Sequence, residues 1–148
     1  MLFRSHADAD EVTIYRRPIR AHAPNTPFSP DPLLPRVDIA ISYAGSDGAQ
    51  IRGLFTSKPA GIVVAGFAPG MTTPGERQAM EEAIESGIAV VQATRALSGR
   101  VIHFEGLRPK GVIASDNLSP QKARVLLMLA LAHGINAEKD LIDVFRTF

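Results

Sequence analysis

The stretch SPQKARVLLMLAL, residues 119–131, does most to limit what this chain can fold into. Ser119 is a capping residue type, and Pro120 suits a first helical position, where its missing N–H would have had no intrahelical partner. From Val125 to Ala132 every residue is apolar, so no face of this helix is reserved for water. The segment is too short, and with Lys122 and Arg124 too charged at its start, to cross a bilayer. It is therefore expected to be a buried helix, and a buried helix needs a sheet to pack on.

Candidates for that sheet precede it. Val37–Ser42, the continuous apolar run Gly61–Gly66 and Ile88–Ala93 have strand length, and runs of this kind suit parallel strands covered on both faces. Between them lie helix signals. Ser46 or Asp47 is placed to cap a helix with Ile51, Leu54 and Phe55 on one stripe. Thr73-Pro74-Gly75-Glu76 has capping-box spacing with proline at the first helical position, and opens a helix running to Ser86. Met80, Ala83 and Ile84 should face in, Glu81, Glu82 and Glu85 out, with Gly87 as the stop. Gly111–Ser115 offers a fourth strand. Gly134 closes the organising helix, and Asn136 opens another carrying Ala137, Leu141, Val144, Phe145 and Phe148 at helical spacing. Strands alternating with helices imply right-handed βαβ units. The expected class is α/β: a three-layer, Rossmann-like domain around a small parallel sheet, with an extended N-terminal arm.

That arm, residues 1–36, holds six of the eleven prolines, Pro18, Pro24, Pro27, Pro30, Pro32 and Pro35, with Arg16, Arg17 and Arg20 among them. Such composition reads as an extended strap. Only Glu11–Tyr15 alternates as a strand does, and with Val12 and Ile14 alone on one side it needs a partner sheet, which is expected to be missing from this sequence. The expectation is that 1–36 is a linker with the remnant of a preceding domain, and that 37–148 is one domain.

Composition narrows the function classes. There is no cysteine, which removes thiolate metal sites, disulfide scaffolds and cysteine nucleophiles. A net charge of +1, from 16 basic and 15 acidic residues, gives no strong pull toward nucleic acid or an anionic membrane. The compartment stays open, cytoplasmic or periplasmic.

In an open parallel sheet, ligands meet the loops leaving the carboxyl ends of the strands, here Tyr43–Gly48, Phe67–Thr73 and Thr94–Gly99. The first combines Tyr43, Ser46 and Asp47 with two glycines and leads into a helix N-terminus able to hold a carboxylate. The bland alternative is that Ser46 or Asp47 only caps that helix. Gly45-x-x-Gly48 is not dinucleotide spacing, and no phosphate-loop lysine follows. His103 and Glu105 alternate as a base and an orienting carboxylate would, or as residues of an ordinary surface strand. His6, His22 and His133 are too scattered for a metal site, and His133 is placed to bond the last carbonyls of its helix.

Taken together, LPRVDIAISYAGSDG (34–48), KPAGIVVAG (58–66), SGIAVVQATRALSGRV (86–101) and GVIASDNLSPQKARVLLMLAL (111–131) resemble the C-terminal domain of bacterial-type L-asparaginases, of the asparaginase/glutaminase family. The arm Tyr15–Phe28 is similar to the linker between that family's two domains. The resemblance implies a homotetramer built as a dimer of dimers, with each active site between the N-terminal domain of one subunit and the C-terminal domain of its neighbour. It implies hydrolysis of L-asparagine to L-aspartate and ammonia, sometimes of L-glutamine, through an acyl-enzyme on an N-terminal-domain threonine, with no metal or cofactor. The T-G-G-T and T-D nucleophile motifs have no match in this chain, so it is expected to be inert alone. The C-terminal domain's share is substrate grip, a role that falls here to Ser46 or Asp47 and to Glu105, because Gly45 stands about where some members carry a ligand-contacting asparagine. Phe67-Ala68-Pro69-Gly70 and Gln92-Ala93 depart from the usual loop sequences. Two other readings are an asparaginase-like subunit of a tRNA-dependent amidotransferase and a non-catalytic association module that binds an amino acid.

Overall fold

Alternating apolar runs and capped helices produce a sheet covered on both faces in the computed structural model, which describes residues 5–7, 12–14, 26–29, 33–101 and 108–148. The elements run β1 (Ser5–Ala7), β2 (Val12–Ile14), β3 (Val37–Ile41), α1 (Ala49–Leu54), β4 (Gly61–Gly66), α2 (Pro74–Glu85), β5 (Ala89–Thr94), β6 (Ile113–Ala114), α3 (Pro120–Ala132) and α4 (Glu138–Thr147), with a 3-10 turn at Phe55–Ser57. Strands β3-β4-β5-β6 lie in that order, all parallel, with Val37 opposite Gly61, Gly61 opposite Ala89 and Val91 opposite Ile113. The connections from β3 to β4 and from β4 to β5 carry helices α1 and α2, as βαβ units do.

Two apolar layers flank the sheet. On one side Val37, Val63, Val91 and Ile113 meet Ala123, Leu126, Leu127 and Ala130 of α3 and Leu141 and Phe145 of α4. On the other, Ala40, Ile62, Val64 and Val90 meet Ile51 of α1 and Ala79, Met80 and Ala83 of α2. All six residues of β4 are buried, as a central strand with helices above and below requires.

Local signals set the helix ends. The Thr73 hydroxyl accepts from the Glu76 N–H while the Glu76 carboxylate accepts from the Thr73 N–H, so the capping box is complete. Ser119 caps α3, accepting from the Lys122 N–H, with Pro120 at the first helical position. Gly134, with φ of 75°, follows the last turn, and the His133 Nδ1 lies 2.9 Å from the Leu129 carbonyl.

Several expectations change. Helix α3 is not buried all round: Leu127 is fully enclosed, but Val125 is 49% exposed, because α3 lays one side on the sheet and nothing described covers the other. Helix α1 begins beyond Ser46 and Asp47; its N-cap is Gly48, at φ 86°, without a side-chain cap bond. Helix α4 starts after Ala137, two residues later than the asparagine signal placed it. The partner expected to be missing is present within the chain: β2 pairs antiparallel with β1 through Ser5–Ile14 and Ala7–Val12. Farther along the arm, Phe28 packs on Phe148 and meets the His133 ring in a T-shaped contact, and the Ser29 N–H donates to His133 Nε2 over 3.0 Å.

Candidate functional site

Parallel pairing brings the carboxyl ends of β3, β4 and β5 side by side, and with them the three loops that leave those ends. The loop after β3 (43–48) is held from below by α2. The Thr73 hydroxyl donates to the Ser46 carbonyl over 2.6 Å, so the residue that caps α2 also ties down this loop. The two backbone segments approach as closely as glycine permits. A Cβ on Gly75 would lie 2.5 Å from the Asp47 carbonyl oxygen, and one on Gly48 would lie 2.3 Å from the Gly75 oxygen.

Within this loop Ser46 and Asp47 differ. Ser46 is 5% exposed, and its hydroxyl has no hydrogen-bonding partner among the described protein groups; the same is true of Ser42, fully buried at the end of β3. Unmet buried hydroxyls cost about 1–3 kcal/mol each. Asp47 is exposed, and one carboxylate oxygen accepts from the Ala49 N–H over 2.9 Å, a turn-type bond that satisfies the first amide of α1. Its carbonyl accepts from Arg52 Nη1 over 3.0 Å. Asp47 thus assists the helix start from a position before the cap.

The second and third loops are bound to each other and to the first. Gln92, buried on β5, donates its side-chain amide to the Gly70 carbonyl. The Arg95 N–H continues the β4–β5 pairing by donating to the Gly66 carbonyl over 2.8 Å. The Arg95 guanidinium donates to the Ser42 carbonyl over 2.9 Å and lies 4.4 Å from the centre of the Phe67 ring. Sequence reasoning overlooked Arg95 as a site residue; the available signal was a long cation placed directly after a buried strand.

Glu105 and His103 lie outside the described residues, but both flanks of their segment are fixed. Val101 is buried against Gly70 and donates its N–H to the Asp116 carbonyl over 2.8 Å, while Arg100 pairs with the Asp116 carboxylate at 2.5 Å. Among the described residues no cluster of His, Asp or Glu is arranged to hold a metal ion. No described helix is long and apolar enough to cross a membrane. The glutamate row of α2 is only partly a solvated face: Glu82 pairs bidentately with Arg52, at 2.7 and 2.9 Å. The hydrogen bond from Arg52 holds the Glu82 carboxyl below its ordinary value, and the same contact raises Arg52.

This assembly is an open parallel α/β domain with three interlocked loops at its carboxyl edge, the edge at which sheets of this kind meet their ligands. The chain belongs to the Glutaminase/Asparaginase C-terminal domain family, whose family model matches residues 36–145. It is 33% identical over 133 residues to L-asparaginase 2 of Bacillus subtilis, covering 88% of this chain and 36% of that protein. It is 28% identical over 134 residues to a glutamyl-tRNA(Gln) amidotransferase component of Pyrococcus abyssi, covering 87% of this chain and 31% of that one. Among solved structures, a probable cytoplasmic L-asparaginase from Campylobacter jejuni superposes with a TM-score of 0.88 at 34% identity, over 98% of this chain and 48% of that one. The chain thus spans 36% of the Bacillus relative and 48% of the solved structure.

Proposed function

We propose that this chain is the substrate-gripping half of a composite amidohydrolase site, one that hydrolyses the side-chain amide of L-asparagine, or of L-glutamine, to the acid and ammonia. The observation that carries the reading is the interlocked loop cluster at the carboxyl edge, in a domain of the asparaginase family, with no T-G-G-T or T-D motif anywhere in the sequence. In this reading residues 1–36 are the linker with the remnant of a preceding domain, and 37–148 the gripping domain. An N-terminal asparaginase domain, from the same or a neighbouring protomer, supplies the threonine nucleophile, in a homotetramer assembled as a dimer of dimers. No metal or cofactor enters the reaction.

Roles follow from the charge and polarity of the side chains. The substrate's α-ammonium group is a cation with three donors, and Asp47 and Glu105 offer carboxylate acceptors for it. Asp47 keeps acceptor capacity beyond its single bond to Ala49. Ser46 is the further contact proposed in this loop, its hydroxyl having no partner among the described protein groups. Glu105 belongs to a segment that starts from Val101, against Gly70 of the second loop. The amidotransferase reading is the weaker one: its relative matches at lower identity than the Bacillus asparaginase does.

The test is kinetic. A fusion of an N-terminal asparaginase domain to this chain should release ammonia from asparagine, and Glu105→Gln and Asp47→Asn should each raise KM several-fold with little loss of thermal stability. A well-folded fusion that releases no ammonia from either amide would remove this substrate class.

A further inference from the structure

The first loop bears the proposed gripping residues, yet no ladder hydrogen bond beyond Ser42 holds it to the sheet. One side chain reaches it from the far side of β4. Arg95 leaves the end of β5, passes the end of β4 and donates Nη1–H to the carbonyl of Ser42, the residue from which the loop departs. Its guanidinium plane is steadied on the Phe67 ring at 4.4 Å, in the second loop, and its own backbone N–H is fixed on Gly66. One residue therefore contacts the exits of all three strands. Among the described residues no carboxylate pairs with it, so its orientation is set by a carbonyl and a ring. Only a planar, permanently charged fork can donate and stack at once; a lysine ammonium retains the charge without the stacking plane.

We propose that Arg95 is a positioning residue that fixes the first loop over the carboxyl edge of the sheet, and through that loop sets affinity for the amino-acid substrate without touching it. The effect on affinity rests on the composite-site reading; the effect on the loop does not. A carbonyl held by a charged donor resists local opening, so releasing it should show first at the nearest bonded amide in the loop, the Ser46 N–H, which donates to the Tyr43 carbonyl over 3.1 Å.

The experiment is residue-resolved amide hydrogen exchange on the full 148-residue chain, comparing wild type with Arg95→Ala, Arg95→Lys and Phe67→Leu. Arg95→Ala should speed exchange at Ser46 about tenfold, the scale of losing a bond to a charged donor, and leave Val63 and Val91 in the sheet unchanged. Arg95→Lys should recover part of the protection, and Phe67→Leu should lose part of it. In an active assembly with an N-terminal asparaginase domain, Arg95→Ala should raise KM about tenfold while kcat stays within about twofold. Unchanged exchange at Ser46 in Arg95→Ala would overturn the proposal, as would faster exchange spread evenly over the sheet, which marks a general stability contact. If the wild-type assembly hydrolyses neither amide, the composite-site reading fails while the exchange data still decide what Arg95 does.

Discussion

Replacing Gly75 with alanine tests whether the contact between the first loop and α2 is as tight as the structure has it. The added Cβ would sit 2.5 Å from the Asp47 carbonyl oxygen and 2.6 Å from its carbon. Both are backbone atoms, so no side chain can swing away, and relief requires moving either the loop or the first turn of α2. Overpacking of this kind costs about 1–3 kcal/mol. Alanine's better helix propensity returns up to about 1 kcal/mol, less at the first turn than in a helix interior. The net expectation is a loss of about 1–2 kcal/mol, or a Tm drop of about 3–8 °C for a domain of this size. Gly48→Ala meets the same contact from the other side at 2.3 Å and also places a Cβ residue at φ 86°. It should lose about 1–2 kcal/mol more, the usual cost of the left-handed region. Urea unfolding and calorimetry of both variants give the two numbers. Equal stability for wild type and Gly75→Ala, within about 0.5 kcal/mol, would refute the close approach and with it the placement of Ser46 and Asp47 over α2.

Further tests probe other links. Thr73→Ala removes a helix cap and the bond to the Ser46 carbonyl together, so it should cost about 1–3 kcal/mol by urea unfolding; Thr73→Ser should restore most of it. Leu127→Ala should cost about 2–5 kcal/mol, whereas Val125→Ala, on the exposed side of the same helix, should stay within about 0.5 kcal/mol. Ser46→Ala deletes a buried hydroxyl that has no protein partner, so thermal stability should hold or rise slightly while substrate KM in the active assembly increases. Glu82 has a native pKa below its ordinary 4.5 because of Arg52. Its contribution to stability is therefore complete above that value and is lost as pH falls through the lowered native one. Glu82→Gln should flatten that part of the acid-unfolding curve, and an unaltered curve would show the pair to be inconsequential.

The legible parts of this fold were those specified by neighbours in sequence. The run Gly61–Gly66 could be read as a doubly covered strand because all six residues carry the same demand, and Thr73 with Glu76 specified a helix start within four residues. Misreadings arose where a distant partner or a backbone angle decides. Helix α1 is capped at Gly48, whose left-handed conformation leaves no side-chain signature, so Ser46 and Asp47 resembled caps. Glu82 looked like one of three solvated glutamates because its partner, Arg52, is on another helix. Helix α3 was apolar enough to look wholly buried, and its composition does not reveal that one side of it faces away from the sheet. In the candidate site, sequence position identified the three loops, because strand ends mark them. What joins the loops, Thr73 to Ser46, Gln92 to Gly70 and Arg95 to Ser42, depends on a lateral strand order that local patterns do not encode.

Ammonia release from L-asparagine bears most directly on the central claim, measured for the purified 148-residue chain alone and again after it is combined with an N-terminal asparaginase domain that is inactive by itself. The expected result is no hydrolysis by either part and clear turnover by the two together. Turnover by the chain alone, or none by a folded combination, would contradict a site divided between two domains.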